Sequence, residues 1–363
     1  MLYRCTPHIP QVPRSPADDH GHAMKVTDGA KTTTVDIHCH ASSAAVAEKM
    51  QAERDRTGNP PLAGGNELTA QVNKDQFAAI EVKMSSVDER LADMDAAGVD
   101  IQAVSVPPYQ YFYWADPDLG REVSAELNDY LAGIVASHPD RFVGLGTVPL
   151  QNTELAIAEL ERCVGELGFK GIELSTHCND EQISAPRLEK FYQRVEELGT
   201  LIFIHPDHFT DPERLAEHYF INLIGNPLES TIAVGHLIFD GVLERYPGLK
   251  ICIAHGGGFM PAYHGRFDHG QAARPDSGPG LPHNPSHYLK KLYFDTLVFD
   301  PGQLGYLIDT YGPDHVLLGT DYPYDMGEAD PNGLVDRVAG LSDDAAAMIK
   351  GGNAARLLGL DLG

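Results

Sequence analysis

Short β-branched apolar runs recur along the chain, and between them lie longer stretches whose apolar residues fall three and four apart. The runs predict eight strands: Thr33–His38, Asp100–Val106, Phe142–Val148, Gly171–Ser175, Leu201–His205, Lys250–His255, Leu292–Thr296 and His315–Gly319. Helices are predicted over Val87–Ala97, where Leu91, Met94 and Ala97 share one face, and over Glu154–Leu167, Ala185–Glu197, Leu228–Tyr246, Pro301–Tyr311 and Asp343–Leu358. Glycine stands at several of their ends as a C-cap residue. Strands alternating with helices predict a parallel sheet with crossover helices, and eight such units predict closure into an α/β, (β/α)8 TIM barrel. Two stretches break the rhythm. Residues 41–85 read as a loop insertion after the first strand, and residues 270–290 as a Pro- and Gly-rich loop after the sixth. Both are expected at the C-terminal ends of strands, where a barrel keeps its site. Residues 1–30, rich in Pro, His and Asp, show no apolar period and read as a disordered N-terminal arm ahead of a single barrel domain over 31–363.

Composition narrows the function. The 363 residues, 42% of them hydrophobic, can bury one large core. With 27 basic and 52 acidic side chains, the formal net charge is −25. So acidic a surface repels phosphate backbones and anionic lipid, which argues against nucleic-acid and membrane partners. No stretch approaches the roughly 20 apolar residues of a spanning helix, and the first residues lack the apolar core of a signal peptide. Five scattered cysteines form no CxxC pair, so the expected setting is the reducing cytoplasm.

Four strand ends carry chemistry. In Val35-Asp36-Ile37-His38-Cys39-His40, two histidines two apart on a strand face the same way and suit a first-row divalent metal. A structural or surface role is the alternative. Leu201-Ile-Phe-Ile-His205 is an apolar strand ending in a histidine before Pro206, readable as a ligand or as a strand cap. Ile251-Cys-Ile-Ala-His255 ends the same way, followed by three glycines that let backbone approach a ligand or simply turn the chain. The run from His315 delivers Asp321, a carboxylate that needs a partner or a cation in such surroundings. Together the four place three kinds of evidence, position, residue type and apolar context, behind one metal site at the barrel mouth. The loop Pro107–Trp114 adds an aromatic cluster that either stacks on a planar ligand or packs on the barrel.

With these residues in view, the chain resembles the amidohydrolase superfamily, in the group typified by aminocarboxymuconate-semialdehyde decarboxylases. The resemblance runs from about residue 33 to 360 and rests also on Met94-Asp-Ala-Ala-Gly-Val-Asp100, Val148-Pro-Leu-Gln151, Gly319-Thr-Asp-Tyr-Pro323 and Gly351-Gly-Asn353. It implies that His38, His40, His205 and Asp321 bind one divalent metal, with zinc expected and manganese the alternative. It implies His255 as the base beside the metal, and Asp321 as a second catalytic group that shuttles a proton. It implies a homodimer, with Arg266 reaching the neighbouring site to grip a substrate carboxylate. The family's other carboxylate-binding arginine corresponds to Ala78, for which Lys74 or Lys83 would substitute. Tyr324 replaces the group's phenylalanine, Asp207-His208 replaces its aromatic after the strand-five histidine, and His177 follows strand four within reach of the mouth. These positions, with Tyr324, His177 and Lys83 as substrate contacts, are where a substrate would sit. Lys170 lies near the beginning of its strand and is not assigned to a second metal.

The expected activity is non-oxidative decarboxylation of an aromatic or muconate-type carboxylic acid. The alternative on the same residues is hydrolysis of a lactone, an amide or a C–C bond of a ring-cleavage product. A barrel without catalysis, serving as a binding protein, is a third reading against which the complete ligand set argues.

Overall fold

The structure, a computed structural model, describes residues 32–58, 65–278 and 280–361. The arm expected at 1–30 lies outside the described residues. Eight strands form one sheet in chain order: β1 Val35–His40, β2 Ile101–Ser105, β3 Phe142–Gly146, β4 Gly171–Leu174, β5 Leu201–Ile204, β6 Lys250–Ile253, β7 Tyr293–Asp295 and β8 Val316–Leu317. All neighbouring pairs are parallel. The ring closes where Ile37 N–H donates to the Leu318 carbonyl at 2.9 Å and Asp321 N–H to the His38 carbonyl at 2.8 Å. This is the expected (β/α)8 barrel, with every predicted strand in its place.

Inside the ring, Val35, Ile37, Ala103, Leu145, Phe203 and Leu317 form one buried cluster, and Leu357 and Leu358 of the C-terminal helix Asn353–Leu358 close its floor. A second, larger cluster fills the layer between strands and helices. Such packing leaves only the strands' C-terminal ends for polar chemistry.

The expected loop at 41–85 is instead largely helical, as α1 Ala44–Thr57 and α2 Glu67–Ser85. Ser43 and Asn66 cap their first turns by accepting from Val46 N–H and Thr69 N–H. The apolar period is weak there because α1 buries only Val46 and Met50, and α2 only Thr69, Ile80 and Met84. Helix α3 Val87–Ala97 follows, ending at Gly98 with φ +67° as expected for a C-cap glycine. Helix α4 Pro117–Ser137 was not among the predicted helices, although Asp116 caps it, Pro117 opens it and Val123, Leu127, Leu131 and Ile134 form its buried stripe. Next come α5 Thr153–Gly165, α6 Glu189–Leu198 and α7 Asn226–Phe239. The single helix expected over Leu228–Tyr246 breaks at Gly241, φ +75°, before a short turn Val242–Arg245. After β6 come α8 Met260–Ala273 and α9 Pro301–Tyr311.

The 270–290 segment does not sit at the mouth. It follows α8 rather than β6, and Tyr288 bonds Glu244 while Ser286 N–H bonds Asp268, so it packs where helices return to strands, at the barrel's opposite end. His177–Cys178 pairs with Glu181–Gln182 in a small antiparallel hairpin after β4 that the sequence reading did not foresee.

Candidate metal centre

Strand alternation alone would not put His38 and His40 inside the ring beside Ile37, because Ile37 and His38 are neighbours on one strand. The β1–β2 pairing shifts register between Asp36 and Cys39. The bulge keeps Val35 and Ile37 in the interior cluster and then turns His38 and His40 inward too, while Cys39 joins the outer layer. Asp36 anchors the outer side. It accepts from His38 N–H at 3.0 Å, Gln102 Nε2 at 3.1 Å and Thr320 Oγ1 at 2.7 Å.

On β5, Leu201 and Phe203 point inward, and His205 continues that face. His255 and Asp321 come in differently. Both hold left-handed backbone, φ +55° and +57°, which is costly for residues other than glycine and re-aims each side chain past the end of its strand. The three glycines after His255 serve this turn rather than close approach to a ligand. All have positive φ, and a Cβ on Gly256 would lie 2.4 Å from Val298 Cγ1 and one on Gly258 2.2 Å from the Pro227 carbonyl.

Five side chains therefore converge. His38 Nε2 lies 3.3 Å and His40 Nε2 3.2 Å from Asp321 Oδ1, while His255 Nε2 lies 3.6 Å from Asp321 Oδ2. The His205 ring centroid is 4.9 Å from that of His38 and 5.0 Å from that of His40. Donor atoms of His38, His205, His255 and Asp321 all fall within 4.8 Å of one another. His38 Nε2, His40 Nε2, both ring nitrogens of His205 and Asp321 Oδ1 are buried without a hydrogen-bond partner. Buried lone pairs left so are expensive unless a cation shares them. Donor separations of 3.2–3.3 Å also match the edge, about 3.3 Å, of a tetrahedron with bonds of about 2.0 Å. The residues fit one divalent metal.

The surroundings set the protonation each group needs. His38 Nδ1 pairs with Asp295 Oδ2 at 2.7 Å, and His40 Nδ1 with the Val106 carbonyl at 3.2 Å, which leaves each Nε2 facing the centre. Burial pushes the His205 imidazole well below its ordinary value, and the neighbouring His38, His255 and His40 push it further, so it is neutral and free to ligate. For Asp321 burial works upward, but the charge of His38 and the close approach of the His255, His38 and His40 imidazoles outweigh it and hold the carboxyl well below the usual range. Burial lowers His38, yet Asp321 and Asp295 together raise it, so its Nε2 attracts positive charge.

Two groups were missed in the sequence. Asp295, fully buried at the end of β7, takes the His38 bond and also accepts from His255 N–H at 3.0 Å and Gly256 N–H at 2.7 Å. Its signal was a lone acid in the apolar run Leu292-Tyr-Phe-Asp295. Glu173 on β4 is fully buried beside His40, bonded by Tyr111, and burial raises its carboxyl.

Above the centre lies a cavity of about 420 Å³ whose wall includes His205, His255, Asp321, Tyr324, Phe77 and Tyr109. An adjoining lobe of about 260 Å³ shares His255 and Asp321 and adds Phe259, Leu297 and Phe299. Tyr324 lines the cavity as expected, its ring 5.7 Å from His40 and 6.4 Å from Phe77. Of the aromatic loop, Pro108 and Tyr109 reach the cavity, whereas Tyr111 and Tyr113 are buried and stacked at 5.5 Å, so most of the loop packs on the barrel. Lys83 does not reach the site. It pairs with Asp93 at 2.7 Å and lines a separate outer cleft. Lys74 is exposed on α2 and does not line the cavity. His177 is not brought to the cavity wall either: its Nδ1 bonds the Asn179 carbonyl at 3.1 Å and its ring rests on His208 at 4.8 Å. Arg266 stands exposed on α8, away from its own chain's site.

The amidohydrolase family model matches residues 35–360. The chain belongs to the amidohydrolase family. Within it, the chain is 38% identical over 286 residues to 2-amino-3-carboxymuconate-6-semialdehyde decarboxylase of Dictyostelium discoideum, covering 78% of this chain and 80% of the relative. Its structure is similar to that of 5-carboxyvanillate decarboxylase from Sphingomonas paucimobilis, with a TM-score of 0.81 and 26% identity over 91% of this chain and 100% of that one. It is also similar to a 5-carboxyvanillate decarboxylase from Novosphingobium aromaticivorans, solved with manganese and 4-hydroxy-3-methoxy-5-nitrobenzoic acid, with a TM-score of 0.78 and 25% identity over 90% and 96% of the two chains. Among the described residues no helix is long and apolar enough to cross a membrane.

Proposed function

We propose that this chain is a metal-dependent, non-oxidative decarboxylase of a planar aromatic or muconate-type acid. The observation that carries the reading is the convergence of His38, His40, His205 and Asp321 below an aromatic-walled cavity, with His255 at its edge. The identity with a carboxy-lyase supports decarboxylation over hydrolysis. In the reaction the carbon–carboxylate bond breaks, CO2 leaves, the electron pair stays on the substrate carbon, and a proton takes the vacated position.

His38, His40, His205 and Asp321 would hold the metal. When bound, it supplies positive charge that stabilises electron density left on the substrate. Three imidazoles and one carboxylate are a zinc-type donor set, so zinc is the assigned ion, with manganese the one to compare. His255 addresses the Asp321 oxygen that His38 and His40 do not, and its side chain is 15% exposed to the cavity. That supports a role for His255 in passing a proton to the substrate carbon, with Asp321 as relay. Tyr324 and Phe77 set the plane of the ring. Arg266, exposed on α8 and without a partner among the described residues, is assigned to the substrate carboxylate of a neighbouring subunit in a homodimer. The four described cysteines are buried free thiols, which supports a cytoplasmic setting.

The test is metal content and CO2 release on one preparation, with a panel of aromatic and muconate acids beside lactones and amides. One metal per chain with CO2 from an acid is expected. His255→Ala should keep the metal and lose turnover, and Asp321→Ala should weaken the metal as well. Loss of metal from His255→Ala with full activity in Asp321→Ala would overturn these roles, and consumption of a lactone or amide without CO2 would overturn the reaction.

A further inference from the structure

The polar lining of the cavity is unusual for a site that takes an acid. It contains the amides of Asn73, Gln76, Asn222 and Asn226, the phenols of Tyr109, Tyr219 and Tyr324 and the His208 imidazole, but no lysine or arginine among the described residues. The carboxyl groups that face the space beyond the metal centre are Asp207, paired with His208 Nδ1 at 3.1 Å, and the exposed Asp325. Arg54 is the guanidinium near Asp207, but it lies over the Trp114 ring at 4.6 Å and does not line the cavity. Gln76 lines this wall, and its Nε2 is buried with no hydrogen-bond partner among the described residues.

Charge decides what such a wall accepts. The metal centre, with the partner's arginine assigned under the proposed function, balances one carboxylate. A second carboxylate would have to shed water against amides, phenols and two acids, and an unpaired buried charge is far costlier than a hydroxyl that amides can satisfy. The Phe77 ring, 5.8 Å from that of Tyr109 and 6.4 Å from that of Tyr324, makes with them an aromatic wall that favours a flat body against it. We propose that the substrate is a planar acid with a single carboxylate, whose other ring substituents are neutral hydroxyl or amino groups, and that the cavity discriminates against dicarboxylates. The proposal rests on the decarboxylase reading of the same site and narrows it to one substrate class.

Binding and turnover separate the two ideas. Full-length, metal-loaded protein is titrated calorimetrically with salicylate and with hydroxyisophthalate, the same ring carrying one more carboxylate, and CO2 release is followed from each. Salicylate should bind at least about ten times more tightly, as expected for one uncompensated charge at short range. Asn73→Arg, which puts a cation on the half-buried wall, should narrow that ratio by about tenfold, and Asp325→Asn should narrow it less. Hydroxyisophthalate binding the unaltered protein as well as salicylate, or neither acid binding, would overturn the proposal. Tight, selective salicylate binding without CO2 would leave the substrate class standing and count against the decarboxylase reading.

Discussion

Asp295→Asn tests how the site is held. The carboxylate serves four donors: Oδ2 takes His38 Nδ1 at 2.7 Å and His255 N–H at 3.0 Å, and Oδ1 takes Gly256 N–H at 2.7 Å and Leu297 N–H at 3.2 Å. An amide keeps one acceptor oxygen. Whichever way it turns, its NH2 faces two donors and leaves both orphaned in a site that water does not reach. At about 1–3 kcal/mol for each orphaned donor, the loss is about 2–6 kcal/mol of stability. The second consequence is specific. In either orientation His38 loses its charged acceptor, outright or in exchange for a neutral amide oxygen, and losing such a partner typically weakens metal binding by about 10- to 100-fold. Chemical denaturation of metal-free and metal-loaded protein reads the first effect, and competition with a chromophoric chelator reads the second. Asn128→Ala is the control. It removes buried bonds to both backbone groups of Thr147, 2.8 and 2.9 Å, outside the metal cluster, and should cost stability without changing metal affinity. If Asp295→Asn bound metal as tightly as the unaltered protein, or if Asn128→Ala lost as much affinity, Asp295 would not be positioning His38.

Gly256→Ala should destabilise by more than about 1 kcal/mol, because its φ of +60° and the 2.4 Å approach to Val298 leave no room for a Cβ; an unchanged melting temperature would refute this. Burial pushes the Asp36 carboxyl up to about 6, from an ordinary 3.8, against bonds from Thr320, His38 and Gln102 that pull it down. A raised acid stabilises the fold in its protonated form, so its contribution is complete below the ordinary value and is lost as pH rises through about 6; Asp36→Asn should flatten the stability profile of metal-free protein across that window. Lys83→Ala should leave KM unchanged, since the lysine is spent on Asp93 in an outer cleft, and a several-fold rise in KM would restore it as a substrate contact.

The sequence by itself determined the barrel and most of the metal centre, because both are written in local patterns. Eight β-branched runs had to be strands, and an ionisable residue ending each of four apolar runs had to sit at one rim once the strands were parallel. What the sequence could not carry were facts about who lies beside whom. His-x-His fixes a common face but not which face; the bulge after Asp36 decides that, and its cause lies in the pairing with β2. His255 and Asp321 reach the centre through left-handed backbone imposed by packing around Val298, Pro227 and the β1 carbonyls. Asp295 looked like one acid in an apolar strand until its four donors, from three segments of chain, were brought round it. The insertion hid two helices because exposed helices need little apolar periodicity, and Lys83 was tempting because charge is visible in a sequence while its partner Asp93 is not. Position within an element follows from local sterics and burial; partnership between elements is set by the closed ring, and only the folded chain contains it.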